Sequence, residues 1–592
     1  MKKTILLFLG LSLSASLMSA DFETANEAVK NMGVGWNLGN TLDANSQTIT
    51  DITNVGYWGQ QDLSSETCWG QPYTKPELLK MMKEAGFGAI RVPVTWYNHM
   101  DKDGKVDAAW MKRVHEVVDY VINQGMYCIV NVHHDTGADS YDNSGKLTGY
   151  HWIKANEENF EANQTRYEYL WTQIAEEFKD YGQLLLFESY NEMLDKLNSW
   201  CFASFNSSSK YDAAVATSAY NAINKYAQSF VNTVRATGGN NAQRNLVVNT
   251  YAACCGSGTW NDHLKDPLSQ LTIPDDPSDA TKSRLIVQVH DYPNIEGGIA
   301  NVKKEIDDMV AAWNTNIISK GIPMILGEWG SSNVDKGDGK TDYDVRKDVL
   351  FEFVDYMVQK CKENNVATFY WMGLTDGANR SLPAFHQADL AERIVKAYHG
   401  SSFEGKFPTP DDFEIEYVVN YTQDWAELFL YGDWTDNNSI KVSDYKGIRV
   451  EMDKAYGSKL NVKVYGDKSG NGYKEQYVSL SDNSSSTTVT FDAASLGSTI
   501  QRITLQTSAG AQSARVKSAT LIKADGTEVS GTITVAWGCT LTAEATPNTS
   551  EINTTIYHQD SQDEAIYNLQ GQRVSKPSKG IYIKGGKKYI ER

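Results

Sequence analysis

Two glutamates stand out by their surroundings. In PMILGEWGS, Pro323 to Ser331, a short apolar run delivers Glu328 into a Gly-Trp-Gly setting. LLLFESYNE, Leu184 to Glu192, repeats the pattern and ends in Asn191-Glu192. Strand interiors disfavour charge and an unpaired buried carboxylate is costly, so one such glutamate alone reads as a strand end turned to solvent. Two in one chain point to an acid/base pair. Neighbours can hold the pair's pKa values apart: Arg91 would keep a nearby carboxylate ionised, and an asparagine donor would orient the acid.

Such a pair needs elements that bring distant segments together. From Met32 onward, short apolar runs alternate with helical patterns. Candidate strands are Gly33–Leu38, Ala89–Val92, Tyr127–Val132, Leu184–Phe187, Leu246–Asn249, Leu285–Val289, Pro323–Leu326 and Thr368–Trp371. Between them, stretches such as Lys75–Phe87, Ala109–Gly125 and Arg166–Gly182 carry apolar residues at three- and four-residue spacing, with a glycine near each end. Alternating strands and helices mean parallel units, and eight of them fit a (β/α)8 TIM barrel. Thr136–Asn156 and Cys254–Lys282 read as insertions after strands three and five. In a barrel the C-terminal strand ends share one mouth. That places Asn37, Arg91, His133, Asn191, Glu192, His290, Tyr292, Glu328 and Trp371 together. Cleaving a glycosidic bond requires one protonated carboxyl at the leaving oxygen and one ionised carboxylate at the anomeric carbon, which this mouth offers.

Composition narrows the ligand. A net charge of −19 repels nucleic acid and anionic membranes, whereas 15 Trp and 32 Tyr provide stacking surfaces that suit a neutral ligand. Residues 1–20 read as a secretory signal, with Lys2-Lys3 ahead of an apolar run and small residues near Ala20. No later stretch reaches the length of a membrane span. Seven cysteines are neither a disulfide scaffold nor, without a CxxC or Cys/His cluster, a zinc site. His133 and His134 are adjacent, so strand alternation sends them to opposite sides and argues against a metal. His133 is assigned to the mouth and His134 to a structural or loop-side hydrogen bond. DKDGK, Asp101–Lys105, lacks the later ligands of a calcium loop and reads as a turn. GDGKT, Gly337–Thr341, lacks the first glycine of a phosphate loop, and no GxSxG occurs. No cofactor is expected. Trp69, between Gly and Cys neighbours in a predicted loop, is the sugar-stacking candidate.

Seven motifs then occur in order: GWNLGNTLDA (Gly35–Ala44), ETCWGQP (Glu66–Pro72), IRVPVTW (Ile90–Trp96), NVHHD (Asn131–Asp135), NE (Asn191–Glu192), VHDY (Val289–Tyr292) and GEWG (Gly327–Gly330). Across roughly residues 25–400 the chain resembles glycoside hydrolase family five, in its endoglucanase and xyloglucanase-like branch. The resemblance implies a retaining endo-β-1,4-glucanase acting on cellulose, mixed-linkage glucan or xyloglucan. Glu328 would be the nucleophile and Glu192 the acid/base, with Arg91, His133, Asn191, His290, Tyr292 and Trp371 around them. The rivals are a mannanase or xylanase on the same barrel, and a non-catalytic glycan-binding protein that kept the scaffold.

Beyond a barrel of residues 21–402, Ser401–Asp412 is small, polar and Pro-containing, a linker assigned to 403–412. After it the pattern alternates in EIEYVVNY, KLNVKVYG, EQYVSLS and ITLQTS, the signature of an antiparallel β-sandwich, assigned to 413–526. Tyr421, Trp425, Tyr431 and Trp434 could form a glycan-binding face there, or equally be core and edge residues. Residues 527–592 are assigned to a linker and tail. The basic end, Ala565–Arg592, resembles the C-terminal sorting tail of the type IX secretion pathway through YNLQGQRV and KGIYI, and implies the secretion machinery as a partner. Otherwise it is a small closing hairpin.

Overall fold

The computed structural model describes residues 22–45, 62–141, 144–145, 147–195, 212–256, 267–333, 341–453, 459–470, 472–480 and 485–547, and tail strands within 566–591. The expected signal segment, most of GDGKT and Cys201 lie outside them.

Eight parallel strands close into a barrel: β1 Val34–Asn37, β2 Ala89–Val92, β3 Tyr127–Asn131, β4 Leu185–Glu188, β5 Leu246–Cys254, β6 Leu285–Asp291, β7 Met324–Trp329 and β8 Ala367–Trp371. All eight match expected strands, with ends shifted by up to five residues. The two-residue period of a strand sorts their side chains. Ile90, Val92, Cys128, Val130, Leu185, Phe187, Val287 and Leu326 pack outward against the helices. Ile129, Leu186, Val247, Ile286, Ile325 and Phe369 fill the barrel interior. Helix α1, Ala25–Met32, plugs the lower end with Ala25, Ala28, Val29 and Met32, and starts from a capping box in which Thr24 and Glu27 satisfy each other's backbone N–H groups. The interior positions above this apolar plug belong to polar residues, and there the site forms.

The outer helices follow their sequence signals. Helix α2, Pro76–Ala85, has Pro at its start and ends at Gly86 with φ 112°, a conformation that favours glycine. Helix α3, Ala108–Ile122, is capped by Asp107, which accepts from the N–H groups of Ala109 and Trp110. Helix α4 runs Glu157–Glu177, starting nine residues before the expected Arg166. The signal there was Asn156, which caps Asn159, followed by two acids in the first turn. DKDGK is indeed a turn: Asp101 Oδ1 accepts from the N–H groups of Asp103 and Lys105. The insertion after β3 carries a two-stranded hairpin, Ser140–Tyr141 with Leu147–Gly149.

The expected linker is not a free tether over its first half. Phe403 and Phe407 pack against the barrel core, and Pro408 accepts from the Phe385 N–H. The sandwich that follows has two antiparallel sheets. One runs in the order 486–490, 445–452, 512–523, 413–421, 539–547, and the other 472–479, 460–469, 502–507, 427–431, 534–537. The expected boundary at residue 526 therefore falls inside the sandwich, because Thr534–Trp537 and Cys539–Pro547 complete both sheets. Gly- and Thr-rich sequence hid these late edge strands. Tyr421 is core, its hydroxyl bonded to the Leu505 carbonyl. The tail forms a small antiparallel sheet of its own from 566–567, 573–574, 580–584 and 587–591.

Candidate active site

Arg91 organises the barrel mouth. It is fully buried on the inner face of β2, and a guanidinium carries five N–H donors that water cannot reach there. Each donor has an acceptor. Nε and Nη2 clamp the two oxygens of Glu188, both at 2.7 Å, Nη1 reaches Asn37 Oδ1 at 3.0 Å and Glu328 Oε1 at 2.7 Å, and Nη2 also reaches Asn191 Oδ1 at 2.8 Å. Strands β1, β2, β4 and β7 thus meet on one side chain. Glu188 is fully buried, which works against its charge. Arg91's charge and hydrogen bonds, with a further bond from Asn131 Nδ2, overcome that and hold its pKa below the usual carboxylate range.

Glu328 enters the site through a bulge. Strand alternation puts Ile325 inside and would send Glu328 outward, but the β6–β7 register slips between Val289/Leu326 and His290/Glu328. An extra residue re-aims the next side chain. The residue at the slip is Gly327, where a Cβ would stand 2.2 Å from the Gln288 side chain and displace it. Glu328 Oε2 accepts from the Tyr292 hydroxyl at 2.8 Å while Oε1 accepts from Arg91. Burial raises the Glu328 pKa, against the pull of His290 and Arg91. The Tyr292 phenol is pushed well above its ordinary value by burial and the two carboxylates, so it stays a donor.

Glu192, beyond the end of β4, is more open, with its side chain 26% exposed. Its Oε1 lies 2.8 Å from His290 Nδ1, which is also 3.5 Å from Glu328 Oε2. Gln288, two residues before His290 and on the same inner face, places Nε2 3.1 Å from His290 Nε2. An amide N–H donating there leaves the ring proton on Nδ1, facing both carboxylates. Oxygens of Glu192 and Glu328 lie within 4.8 Å of each other across His290. That is the close spacing of a retaining glycosidase, whose carboxyls stand about 5–5.5 Å apart, rather than the about 6.5–9.5 Å of an inverting one.

His133 lies beyond these carboxylates, Nε2 3.9 Å from Glu328 Oε1. Asn131 Oδ1 accepts the Val94 N–H, so its Nδ2 faces Glu188 and His133 Nδ1. Nδ1 is then the acceptor and the proton sits on Nε2. Burial keeps the ring neutral, holding its pKa well below the usual histidine range. Trp371, at the end of β8, lies parallel to it at 6.0 Å. Trp69 stands against His134, ring centroids 5.2 Å apart, its Nε1–H bonded to the Asn45 carbonyl. Glu66 of the same motif is a loop anchor, buried between Arg113 and the Thr74 N–H.

The two histidines do not diverge as expected. Strand β3 ends at Asn131, so strict alternation no longer holds, and the rings lie 4.5 Å apart and nearly perpendicular. With Asp43 they bring ligand atoms within 4.8 Å of one another, as do Glu192, His290 and Glu328. Asp43, however, uses its oxygens to cap the N–H groups of Asn40 and Thr41. Nine of the eleven expected residues, Asn37, Arg91, His133, Asn191, Glu192, His290, Tyr292, Glu328 and Trp371, line the mouth together, with Trp69 and His134 at its side. Glu188, Asn131 and Gln288 were missed. Their signal was an inner-face position two or three residues before a named one.

A carboxylate pair at this spacing, one member in an arginine and tyrosine cradle and the other beside a histidine donor, has the equipment for glycosidic cleavage. The family model described as cellulase, glycosyl hydrolase family 5, matches residues 42–376, more than half of the chain. The chain belongs to glycosyl hydrolase family 5. Among family 5 relatives, endoglucanase B of Neocallimastix patriciarum is 34% identical over 391 residues, 64% of this chain and 71% of that one. A broad specificity endoglucanase from an uncultured bacterium is 64% identical over 65% of this chain and 98% of its own, with a TM-score of 0.59. A family 5 enzyme from Prevotella bryantii B14, solved with a xyloglucan tetradecasaccharide, is 39% identical over 64% of this chain and 99% of its own, with a TM-score of 0.53. The family match begins after β1 and runs through β8, and the chain is a glycoside hydrolase.

Proposed function

We propose that this family 5 enzyme is a secreted, retaining endo-β-1,4-glucanase of broad β-glucan range, with Glu328 as nucleophile and Glu192 as acid/base. The observation that carries the roles is the approach of the two carboxylates within 4.8 Å in unlike surroundings. Glu328, ionised against Arg91 and Tyr292, attacks the anomeric carbon as Glu192 protonates the leaving oxygen. His290 Nδ1–H occupies Oε1 of Glu192, which leaves Oε2 to carry the transferred proton. Glu192 then takes a proton from water, which releases the glycosyl-enzyme with retention. Trp371 and Trp69, beside His133 and His134, offer faces to sugar rings. Relatives described as broad specificity endoglucanase and a neighbour holding xyloglucan support a glucan substrate that includes branched chains.

Residues 1–20 direct export, and Ala565–Arg592 serve as a type IX sorting tail, a reading supported by the YNLQGQRV and KGIYI elements. Among the described residues no helix is long and apolar enough to cross a membrane. Deleting the tail should trap the enzyme in the periplasm, and unchanged delivery to the medium or cell surface would remove this assignment.

The test of function is reducing-sugar release from carboxymethyl cellulose, mixed-linkage β-glucan, xyloglucan, xylan and mannan, with Glu328→Ala as control. Release from the glucans should fall by roughly a thousandfold or more in the variant. Activity on mannan alone would overturn the substrate, and near-parental turnover by Glu328→Ala would overturn the nucleophile.

A further inference from the structure

The sandwich has one outer face that its fold does not explain. Outer faces of a sandwich ordinarily carry solvated polar residues, and that of the sheet holding 445–452 and 512–523 does: Arg449 pairs with Glu528, and Arg515 with Glu416 and Glu544. The outer face of the sheet holding 427–431, 460–469 and 502–507 is different. Register aligns Glu427 with Gln506, and Thr504 with Lys463 and Tyr477, opposite the core-facing Leu428, Leu505 and Val462. Glu427, Arg502, Thr504 and Gln506 are each more than nine-tenths buried although they point away from the core. Each keeps a polar atom without a partner: Glu427 Oε2, Arg502 Nε, Thr504 Oγ1 and Gln506 Oε1. Among the described residues, every such atom in the sandwich lies on this face.

Large aromatic side chains flank this polar floor. Trp434 and Trp537, 47% and 40% exposed, stand on one side and Tyr477, 51% exposed, on the other. They are fixed rather than loose. Trp434 packs on Phe429 and over the Arg502 guanidinium, whose Nη1 bonds Asp436, and Tyr477 donates to Glu475. Four strand spacings separate the flanking strands, about 19 Å, the length of an oligosaccharide rather than a single sugar.

We infer that this face is a second carbohydrate site, which holds a chain of the uncharged β-glucan that the barrel cleaves. The unpartnered atoms lie just beneath this face and comprise acceptors on Glu427 and Gln506, a donor on Arg502 and the two-way hydroxyl of Thr504. Sugar hydroxyls, which both donate and accept, match that set. The rings offer the apolar contact that sugar faces need. The charges on the face balance, Lys463, Lys468 and Arg502 against Glu427, Glu475 and Asp436, and are paired within it, so an anionic polymer gains nothing. The choice of a glucan rests on the glucanase reading of the barrel. A site on the same chain raises the effective concentration of substrate at the cleft.

The test is calorimetric titration of the full chain bearing Glu328→Ala with a β-1,4-gluco-oligosaccharide, a manno-oligosaccharide and an oligogalacturonate. The gluco-oligosaccharide should fill about two sites per chain, and about one when Trp434→Ala and Tyr477→Ala are added. Tyr477→Ala alone, a half-exposed change on an edge strand, should weaken the second site roughly tenfold with an unshifted melting temperature. A single glucan site that survives both substitutions overturns the second site. A single site that disappears with them retains it and overturns the barrel reading instead. Preference for oligogalacturonate overturns the ligand class.

Discussion

Glu188→Gln is the substitution that separates a designed charge cluster from incidental polarity. It preserves shape but removes a charge and turns an amide donor toward the Arg91 donors that Glu188 receives at 2.7 Å. Breaking a fully buried pair from one side costs about 3–5 kcal/mol. Unfolding entropy near 2.1 cal/mol/K per residue gives a barrel of about 380 residues about 0.8 kcal/mol/K, so a loss of about 4 kcal/mol lowers Tm by about 5 °C. The sign with pH follows from the depressed pKa of Glu188. Its stabilisation is present above the unfolded value, about 4.3, and fades as pH falls through the lower folded value, so the Tm gap to the parent should narrow in acid. Chemistry should suffer as well. Arg91, freed from its clamp, no longer fixes Glu328, and displacement of about 1 Å costs about a hundredfold in kcat. As the guanidinium shifts, the Arg91 pull that lowers the Glu328 pKa weakens, and the acid limb of kcat/KM moves to higher pH. Calorimetric melting from pH 3 to 8 and a pH–rate profile measure all of this. An unchanged Tm with an unmoved acid limb would refute the account of the cluster.

Glu192→Ala should be rescued by a substrate whose aryl leaving group departs without a proton, to within about tenfold of the parent, while polysaccharide cleavage falls by about a hundredfold or more; equal losses on both remove its role as acid. Gln288→Leu frees His290 Nε2 to hold the ring proton, so a shifted basic limb of kcat is expected, and Gln288→Glu, which forces the other tautomer, should move it further; superimposable profiles would show that Gln288 only packs. Asp135 accepts from the Trp96 N–H and Trp152 Nε1–H, yet burial pushes its pKa up to about 6. Its folded pKa is the higher one, so its contribution is full below about 4 and is lost as pH rises through 6. Asp135→Asn should flatten that part of the stability curve, as followed by urea unfolding at several pH values.

The barrel was legible because each strand is a short apolar run between helices with glycine or proline at their ends. The proposed nucleophile and acid were legible because Glu328 and Glu192 interrupt such runs. Glu188 lies in the same nine residues as Glu192 and went unread. A charged residue inside a strand makes sense only once its partner is known, and Arg91 is 97 positions away. Gln288 was hidden for a related reason: its use depends on Gly327 across the β6–β7 slip, and neither residue announces the slip alone. The histidine pair misled because alternation was carried past Asn131, where the strand stops. In the sandwich, Tyr421 and Trp434 look alike in sequence, but Tyr421 stands on a strand face turned to the core and Trp434 in the loop after 427–431.

The five acceptors around Arg91 also bear on how the molecule folds. They come from positions 37, 188, 191 and 328, at separations of 54 to 237 residues, so no local segment can assemble them. A chain without β7 in place leaves Arg91 Nη1 short of one of its two acceptors. Docking β7 supplies that acceptor from Glu328, so the charge cluster of the mouth favours closure of the barrel. Recovery of activity during refolding should therefore track the arrival of β7 and report ring closure.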